Sequence, residues 1–154
     1  MSKPVALAKD VLTADLASRI EQVFGKSTDS LDLVERRARE LLPEHKVVIW
    51  EGDPQTFQFG FVSQAAEDIL GYPCGRWVTE PDFWVSTVVH PDHRHEAAAF
   101  CALATGQGRD HDFQYLAVRA DGGSTLIHDV VKVIKGPRGI AARLRGIMIE
   151  IGDN

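Results

Sequence analysis

Apolar residues in the first 43 positions recur at helical spacing in two consecutive segments. The two stripes are Leu12, Leu16, Ile20 and Val23, then Leu31, Val34, Ala38 and Leu41. Polar residues fill the positions between them, as in amphipathic helices that bury one face. Gly25 favours the end of the first helix, and Pro43 stops the second. Ser27, Thr28 or Asp29 favours the start of the second helix, since each is a good N-cap residue.

The apolar pattern changes to a period of two after residue 45. The β-branched and aromatic segment 46–50 predicts one strand. The alternation of Phe57, Phe59 and Phe61 predicts a second strand. The turn residues Gly52–Pro54 between them favour an antiparallel hairpin.

Helical segments are expected in the middle of the chain. Ser63 is placed to cap a short helix, and Gly71 suits its left-handed C-terminal end. Residues 72–89 are rich in aromatic side chains and irregular or short-helical. Pro91 then opens a longer helix that extends through residue 104.

The last third of the chain is rich in β-branched residues. Segments 113–119, 125–135 and 143–151 predict three strands, and Asp121–Gly123 and Gly136–Gly139 form the turns between them. Strands at both ends with helices between them predict one five-stranded antiparallel sheet with helices packed on one face, preceded by a two-helix N-terminal extension. The predicted fold class is therefore α+β.

Composition limits the class of protein. The 154 residues, 44% hydrophobic and 25% charged, suffice for one domain with its own core. A net charge of −5 without a dense Lys/Arg run argues against nucleic acid as a partner. No apolar stretch is long enough for a signal peptide or a spanning helix, and the presence of only two cysteines suits a reducing compartment. We therefore expect a cytoplasmic chain without membrane insertion.

Several local motifs together resemble the PAS domain family, in the branch common in bacterial sensor kinases and cyclic-di-nucleotide signalling proteins. They are, in order, Phe61–Ser63 leading into Ala65–Tyr72, Trp77, Asp82–Trp84, Val89–Arg94, the turn Arg119–Gly122 and the last strand Arg143–Ile151. The resemblance covers about residues 46–152. One departure lies at Glu150-Ile151-Gly152, where the family often has Asp-Ile/Val-Thr, so Gly152 would loosen the exit toward a downstream helix.

The resemblance implies a sheet order of 2-1-5-4-3 and a cavity between the sheet and its helices. It divides the chain into a helical extension, residues 1–43, and a PAS-type sensory domain, residues 44–154. The expected cavity walls are Trp84, Phe100, Tyr115 and His128. The aromatic residues either surround a small apolar ligand or fill the core without one.

His90, His93 and His95 are the candidate metal ligands. Residues 93 and 95 of a helix lie about 200° apart and do not face one ion without distortion, so a solvated helix start is the simpler interpretation. A small metal-dependent enzyme that uses all three histidines is the alternative. The resemblance also makes His93 or His95 the candidate ligand of a haem-binding PAS sensor, although their neighbourhood is polar.

Flavin photochemistry and enzymatic catalysis find no support in the motifs. The light-sensing PAS branch carries its cysteine in an Asn-Cys-Arg-Phe-Leu-Gln stretch, which this sequence lacks. Cys101 is better interpreted as a small buried residue. No nucleophile elbow, phosphate-binding loop, HExxH or kinase motif occurs, so we expect no catalysis by these residues. The expectation is therefore a chain without a bound cofactor, and haem and flavin are the alternatives.

The predicted function is a signal-sensing or interaction domain in bacterial signal transduction. A ligand or partner would bias the packing of helices on the sheet, and a helical dimer interface would relay the change to a kinase or cyclase output domain. We expect a homodimer with residues 5–42 as most of its interface, because the second amphipathic helix has no obvious partner within the chain. The alternative is that both helices fold back on their own sheet.

Overall fold

The computed structural model describes residues 12–153. The helices are α1 (Ala14–Phe24), α2 (Leu31–Leu41), α3 (Ala65–Leu70), α4 (Cys74–Thr79) and α5 (Pro91–Gly106), with a π-helical turn (Trp84–Val88) before α5. The strands are β1 (Val47–Gly52), β2 (Phe59–Val62), β3 (His111–Val118), β4 (Ser124–Lys135) and β5 (Ala141–Asp153). Residues 5–11 of the predicted dimer interface lie outside the described range. Within that range, no helix is long and apolar enough to cross a membrane.

The strands form one antiparallel sheet in the order β2-β1-β5-β4-β3. This is the order implied by the resemblance, and it confirms the predicted α+β class. The longest ladder joins β4 to β5, from Thr125 opposite Asp153 to Lys135 opposite Ala141. Because β5 also pairs with β1, it lies at the centre of the sheet and connects its two halves.

The two faces of the sheet support separate hydrophobic cores, since successive strand residues point to opposite faces. On one face, here called the inner face, α3, α4, the π-helical turn and α5 pack over Val48 and Trp50. On the opposite, outer face, α1 and α2 pack over Ile49, Ile147 and Ile149. The helices of the predicted sensory domain thus share one face, and the N-terminal extension covers the other.

The dimer prediction assumed that the second helix has no partner within the chain, and the structure corrects this, because both helices of the extension pack on their own sheet. Ile20 of α1 and Val34 of α2 are 2% and 0% exposed, and the two helices also contact each other. Polar bonds add to the packing: Lys132 of β4 donates to Glu21 at 2.7 Å. The second helix therefore has a partner within the chain, and its apolar stripe needs no second subunit.

The second helix begins one residue later than the predicted caps. Ser30 is the N-cap, since its hydroxyl accepts a hydrogen bond from the Leu33 N–H at 3.2 Å. Asp29 instead closes the loop between the helices. Its carboxylate accepts from the Lys26 N–H at 2.9 Å and pairs with Arg37 at 2.8 Å. The prediction of Ser27, Thr28 or Asp29 as the cap was wrong because the loop uses Asp29 for its own closure.

The second strand is shorter than predicted and contains a bulge. It begins at Phe59, and its pairing with β1 shifts between Glu51 and Gly52. The shift places Phe59 in the inner core and Phe61 in the outer core. Phe57 lies ahead of the strand, in a loop, with a positive φ of 58°. The three phenylalanines therefore do not share one strand face.

The short helix α3 ends as predicted but begins without a side-chain cap. Gly71 at its C-terminal end has a φ of 88°, in the left-handed region that glycine adopts without steric cost. The Ser63 hydroxyl does not cap the helix. It accepts a hydrogen bond from the Ile49 N–H at 2.9 Å and so ties the start of α3 to β1.

Candidate functional site

A small apolar cavity lies between the inner face of the sheet and the helices that cover it. Its walls are Trp50, Gly52, Phe57, Phe59, Trp84, Cys101, Phe113, Asp129, Val131 and Leu144. Its volume is about 10 Å³, close to the space that one water molecule needs. In this conformation, aromatic and aliphatic side chains therefore fill most of the centre of the domain.

One carboxylate stands in this apolar wall. Asp129 of β4 is 1% exposed. One of its oxygens accepts a hydrogen bond from the Trp50 indole N–H at 3.0 Å, and the other accepts from the Tyr115 hydroxyl at 2.9 Å. The Tyr115 hydroxyl in turn accepts from the Trp84 indole N–H at 3.0 Å. These side chains form a buried hydrogen-bonded chain that crosses the cavity wall.

The pairing of β1 with β5 makes room for the Trp50 ring. Trp50 is opposite Gly146, and a Cβ at that glycine would overlap the indole. Because no side chain intervenes, the ring lies over the β5 backbone and stacks on Phe59 with centroids 4.8 Å apart. In this position its N–H reaches Asp129 on the next strand.

Burial controls the ionisation of the groups around the cavity. It raises the pKa of Asp129 to about 7, although the hydrogen bonds from Trp50 and Tyr115 favour the charged form. Burial likewise raises the pKa of Tyr115 well above its ordinary value and that of the Cys101 thiol to about 12. Cys101 is therefore a thiol, as expected for a small buried residue, and Asp129 is the group that titrates near neutral pH.

A second pocket of about 230 Å³ lies directly outside the cavity. The two share Phe57, Trp84 and Cys101 as walls, and Asp82 stands at the outer pocket. Phe57 and Asp82 have positive φ angles of 58° and 56°. Such angles are uncommon for residues other than glycine and concentrate at functional sites, where surrounding packing maintains them. The Phe57 side chain is therefore one of three, with Trp84 and Cys101, that lie between the inner cavity and the outer pocket.

Of the four predicted wall residues, only Trp84 lines this cavity, while Tyr115 and Phe100 belong to the core around it. Trp84 is part of the wall, and Tyr115 stands behind it as the link between Trp84 and Asp129. Phe100 packs against the inner core, with its ring 5.5 Å from that of Phe113.

His128 does not line the cavity. It precedes Asp129 in β4 and therefore points to the outer face of the sheet, where Val130 packs with the N-terminal helices. There its Nε2 lies 3.0 Å from Asp112, while its buried Nδ1 has no hydrogen-bond partner. The prediction of His128 as a wall was wrong because a shift of one residue along a strand reverses the face.

The candidate histidines do not converge on one point. The Nδ1 of His93 accepts the Leu116 N–H of β3 at 2.9 Å, and the Nδ1 of His90 accepts the Asp92 N–H at the start of α5. His95 is exposed. Among residues 12–153, no group of three or more His, Cys, Asp or Glu side chains is placed to hold a metal ion. The arrangement gives no support to the metal-enzyme alternative.

The inner face does not fit haem or flavin. A haem iron needs an imidazole aimed into an apolar pocket, whereas His93 is bonded to the β3 backbone and His95 is exposed. A tricyclic flavin requires far more space than the cavity of about 10 Å³. In this conformation the inner-face residues therefore fit neither group.

Sequence reasoning missed the most informative member of the site, Asp129. Asp129 is the single acidic residue in the β-branched segment 125–135. Because strands inside a sheet rarely bury a charged side chain, an acidic residue there indicates a candidate site. Phe57 gave no such signal, because its positive φ arises from the loop that it belongs to.

The exit strand is tied to its neighbours near its C-terminal end. Glu150 of β5 accepts hydrogen bonds from Arg119 at 3.0 Å and from the Thr125 hydroxyl at 2.8 Å. The same Thr125 hydroxyl lies 3.0 Å from the Gly152 carbonyl, and Gly152 itself pairs with Leu126. Gly152 therefore remains within the sheet, so β5 continues through the position where a looser exit was expected.

A sheet of this order, with helices and a central cavity on one face, defines a class of small α+β domains built around an enclosed core. Residues 59–148 match the PAS fold family, and the chain belongs to that family. Its fold is that of the sensor domains found in signalling proteins such as histidine kinases. No curated protein matches the sequence.

Solved structures share this fold over most of its length. The N-terminal domain of a diguanylate cyclase with PAS/PAC sensor from Marinobacter aquaeolei is 32% identical, with a TM-score of 0.64 over 69% of this chain and 95% of that one. A sensory box histidine kinase/response regulator from Burkholderia thailandensis E264 is 19% identical, with a TM-score of 0.59 over 75% and 84% of the two chains. The LOV domain of the Erythrobacter litoralis EL346 blue-light activated histidine kinase is 17% identical, with a TM-score of 0.56 over 69% and 96%. The last two share the fold alone.

Proposed function

We propose that the chain is a sensory domain whose signal is a small ligand in the inner-face cavity. The observation that supports this most directly is the cavity wall itself. Apolar walls with a few placed polar groups are typical of ligand sites, and here they surround one buried hydrogen-bonded carboxylate, Asp129. Phe57, which has a positive φ, belongs both to this wall and to the outer pocket. Displacement of its side chain would enlarge the cavity toward that pocket.

The relay would pass through the central strand β5. Asp129 is opposite Met148 of β5, and two residues further along that strand Glu150 is bonded to Arg119 and Thr125. A ligand that moved Asp129 would shift the β4–β5 ladder and with it the end of β5. Where a kinase or cyclase output domain follows the chain, this end is the route to it. The similarity to the sensor domain of a diguanylate cyclase supports such a partner.

The predicted N-terminal extension, residues 1–43, would act on the sensory domain, residues 44–154, because its helices α1 and α2 pack on the outer face of the sheet. A homodimer through these helices remains a prediction, although the apolar stripes that motivated it are buried within the chain. Cytoplasmic location and the lack of catalysis by these residues also remain predictions. They are supported by free cysteines at 74 and 101 and by the absence of a catalytic motif from the sequence.

Replacement of Phe57 by alanine tests the ligand proposal. We expect the Phe57→Ala variant to bind small organic probes that the wild type binds weakly, and we expect Trp50 and Trp84 fluorescence to change with binding. Phe61→Ala is the matched control, because it removes the same side chain from the outer core. Equal binding by the wild type and both variants would contradict a Phe57 gate.

A ligand-free interaction module is the second candidate, and the small cavity volume favours it. Native mass spectrometry and an absorption spectrum of the purified protein distinguish the two. A retained small molecule supports the sensor, and a bare chain whose Phe57→Ala variant also binds no probe supports the module. We expect no visible-range chromophore. A Soret band that disappears in His93→Ala or His95→Ala would contradict this expectation.

A further inference from the structure

We propose that the ligand is a small organic cation of the quaternary ammonium type, held by the aromatic rings of the cavity with the Asp129 carboxylate as its counter-charge. This inference rests on the proposed function, since it names the class of ligand for the same cavity. It follows from three features: an uncompensated buried carboxylate, an aromatic wall, and an entrance without basic side chains.

The first feature is the isolation of the Asp129 charge. From β3 it faces Tyr115, and from α5 it faces the Cys101 thiol, both of which are uncharged at neutral pH. Its neighbours on the inner face of β1 and β5 are Trp50 and Met148. Among residues 12–153, no basic side chain forms an ion pair with it. A buried carboxylate without a cation is costly, and proteins normally pair it or neutralise it.

The second feature is the match between this carboxylate and a cation that donates no hydrogen bonds. Both Asp129 oxygens already accept a hydrogen bond, from Trp50 and from Tyr115. The Asp129 oxygens therefore need no further hydrogen-bond donor, whereas the negative charge of the carboxylate has no cation beside it. A quaternary ammonium group supplies charge and apolar methyl groups but no N–H, so it would leave the existing hydrogen bonds intact.

The third feature is the aromatic surface available to such a group. The rings that line the cavity besides the stacked pair Trp50 and Phe59 are Phe57, Trp84 and Phe113, and Trp84 meets Phe113 edge to face at 6.1 Å. Rings of this kind attract a cation placed over their faces, and the attraction grows when the cation is desolvated. Neutral apolar ligands would gain from the same burial but would leave the carboxylate uncompensated.

The entrance has the same charge preference. The outer pocket of about 230 Å³ contains the Asp82 carboxylate, and no Lys or Arg is among its walls. When Phe57 moves aside, a cation would pass from Asp82 to Asp129 without meeting a like charge. Phe57 and Asp82, which both have a positive φ, line this outer pocket.

Choline and its neutral isostere 3,3-dimethyl-1-butanol distinguish charge from shape. We expect choline to bind the Phe57→Ala variant at least about tenfold more tightly than the isostere, as measured by calorimetry and by tryptophan fluorescence. Asp129→Asn, which keeps an acceptor for Trp50, should remove that preference. Asp32→Asn on exposed α2 is the charge-matched control and should retain it.

Wild-type protein gives a second test that needs no folded Asp129 variant. Choline affinity should rise between pH 6 and pH 8, as Asp129 becomes fully ionised, whereas affinity for the isostere should not change. Equal binding of choline and the isostere, with no pH dependence, would overturn the cation assignment while leaving the ligand sensor in place. No binding of either compound to folded wild type or Phe57→Ala would overturn both.

Discussion

At the scale of single residues, Asp129 is the group whose surroundings most affect the behaviour of the domain. It is the only acidic residue in the cavity wall described here, and both of its oxygens serve the neighbouring Trp50 and Tyr115. Burial raises the free energy of the ionised carboxylate and therefore favours the protonated, neutral form of Asp129. Its protonation is therefore linked to folding.

We predict that Asp129 makes the folded state less stable as the pH rises from about 4 to about 7. Its pKa is raised from 3.8 to about 7 on folding, so across this window the folded chain holds a proton that the unfolded chain has released. The stabilisation from protonated Asp129 is fully present below pH 3.8 and is lost as the pH approaches about 7. Over this window the free energy of unfolding falls by up to roughly 1.4 kcal/mol per pH unit.

Urea denaturation of wild type and Asp129→Asn at several pH values measures this linkage. The difference in unfolding free energy between the two proteins isolates Asp129 from the exposed carboxylates that both retain. We expect the variant to lose stability less than wild type over the window. Parallel pH profiles for the two proteins would show that the carboxylate is ionised in the folded state.

Gly146 is the residue that lets Trp50 reach Asp129. We predict that Gly146→Ala destabilises the fold by about 1–3 kcal/mol, because a Cβ would overlap the indole and force it to move. Gly60→Ala is the matched control, since nothing lies within 4 Å of a Cβ built there. The measurement is the urea midpoint together with the tryptophan emission, and an unchanged midpoint for Gly146→Ala would contradict the tight contact.

At the scale of elements, β4 and β5 belong to two cores at once. Their inner-face residues form the cavity wall, and their outer-face residues support α1 and α2. A change in packing on one face of the sheet therefore affects the other face, because both faces share these strands. Helices α1 and α2 are accordingly part of the folded core of the sheet.

We predict that Ile20→Ala in α1 destabilises the whole chain by about 3 kcal/mol, as expected for removing a large buried side chain. The control is Leu103→Ala in α5, where the side chain is 59% exposed and the change should stay within about 0.5 kcal/mol. Thermal unfolding of the two variants decides the point. A wild-type midpoint for Ile20→Ala would mean that the extension folds separately from the sheet.

At the scale of the whole molecule, the sheet is covered on both faces by its own chain. Removal of the first helix would expose Ile49, Ile147 and Ile149, which now pack against the extension. The consequences for assembly follow from that exposure, since a newly exposed apolar face promotes association.

We predict that a chain lacking residues 1–28 is less stable and self-associates more than the intact chain. Light scattering at micromolar concentration measures the mass of both. A dimer of the intact chain that dissociates on truncation into a stable monomer would instead support the helices as the dimer interface. An intact chain that is monomeric would contradict the homodimer prediction.

The sequence by itself determined the elements and their ends where local chemistry decides. Apolar spacing placed α1 and α2, and the β-branched segments of the last third placed β4 and β5. Gly71 marked a helix end because only glycine adopts its φ of 88° without strain. The motif order also carried the family resemblance, and with it the sheet order.

Tertiary structure alone decided which face each strand residue serves and what covers it. The Trp50–Asp129 bond joins positions 79 residues apart, and whether Asp129 or His128 faces the cavity depends on a register that local spacing does not contain. The apolar stripes of α1 and α2 indicated that these helices bury one face. The same pattern is expected whether that face packs on a sheet of its own chain or on a second subunit. Burial on the outer face is a property of the assembled sheet, because only there do Ile49, Ile147 and Ile149, distant in sequence, form one apolar surface.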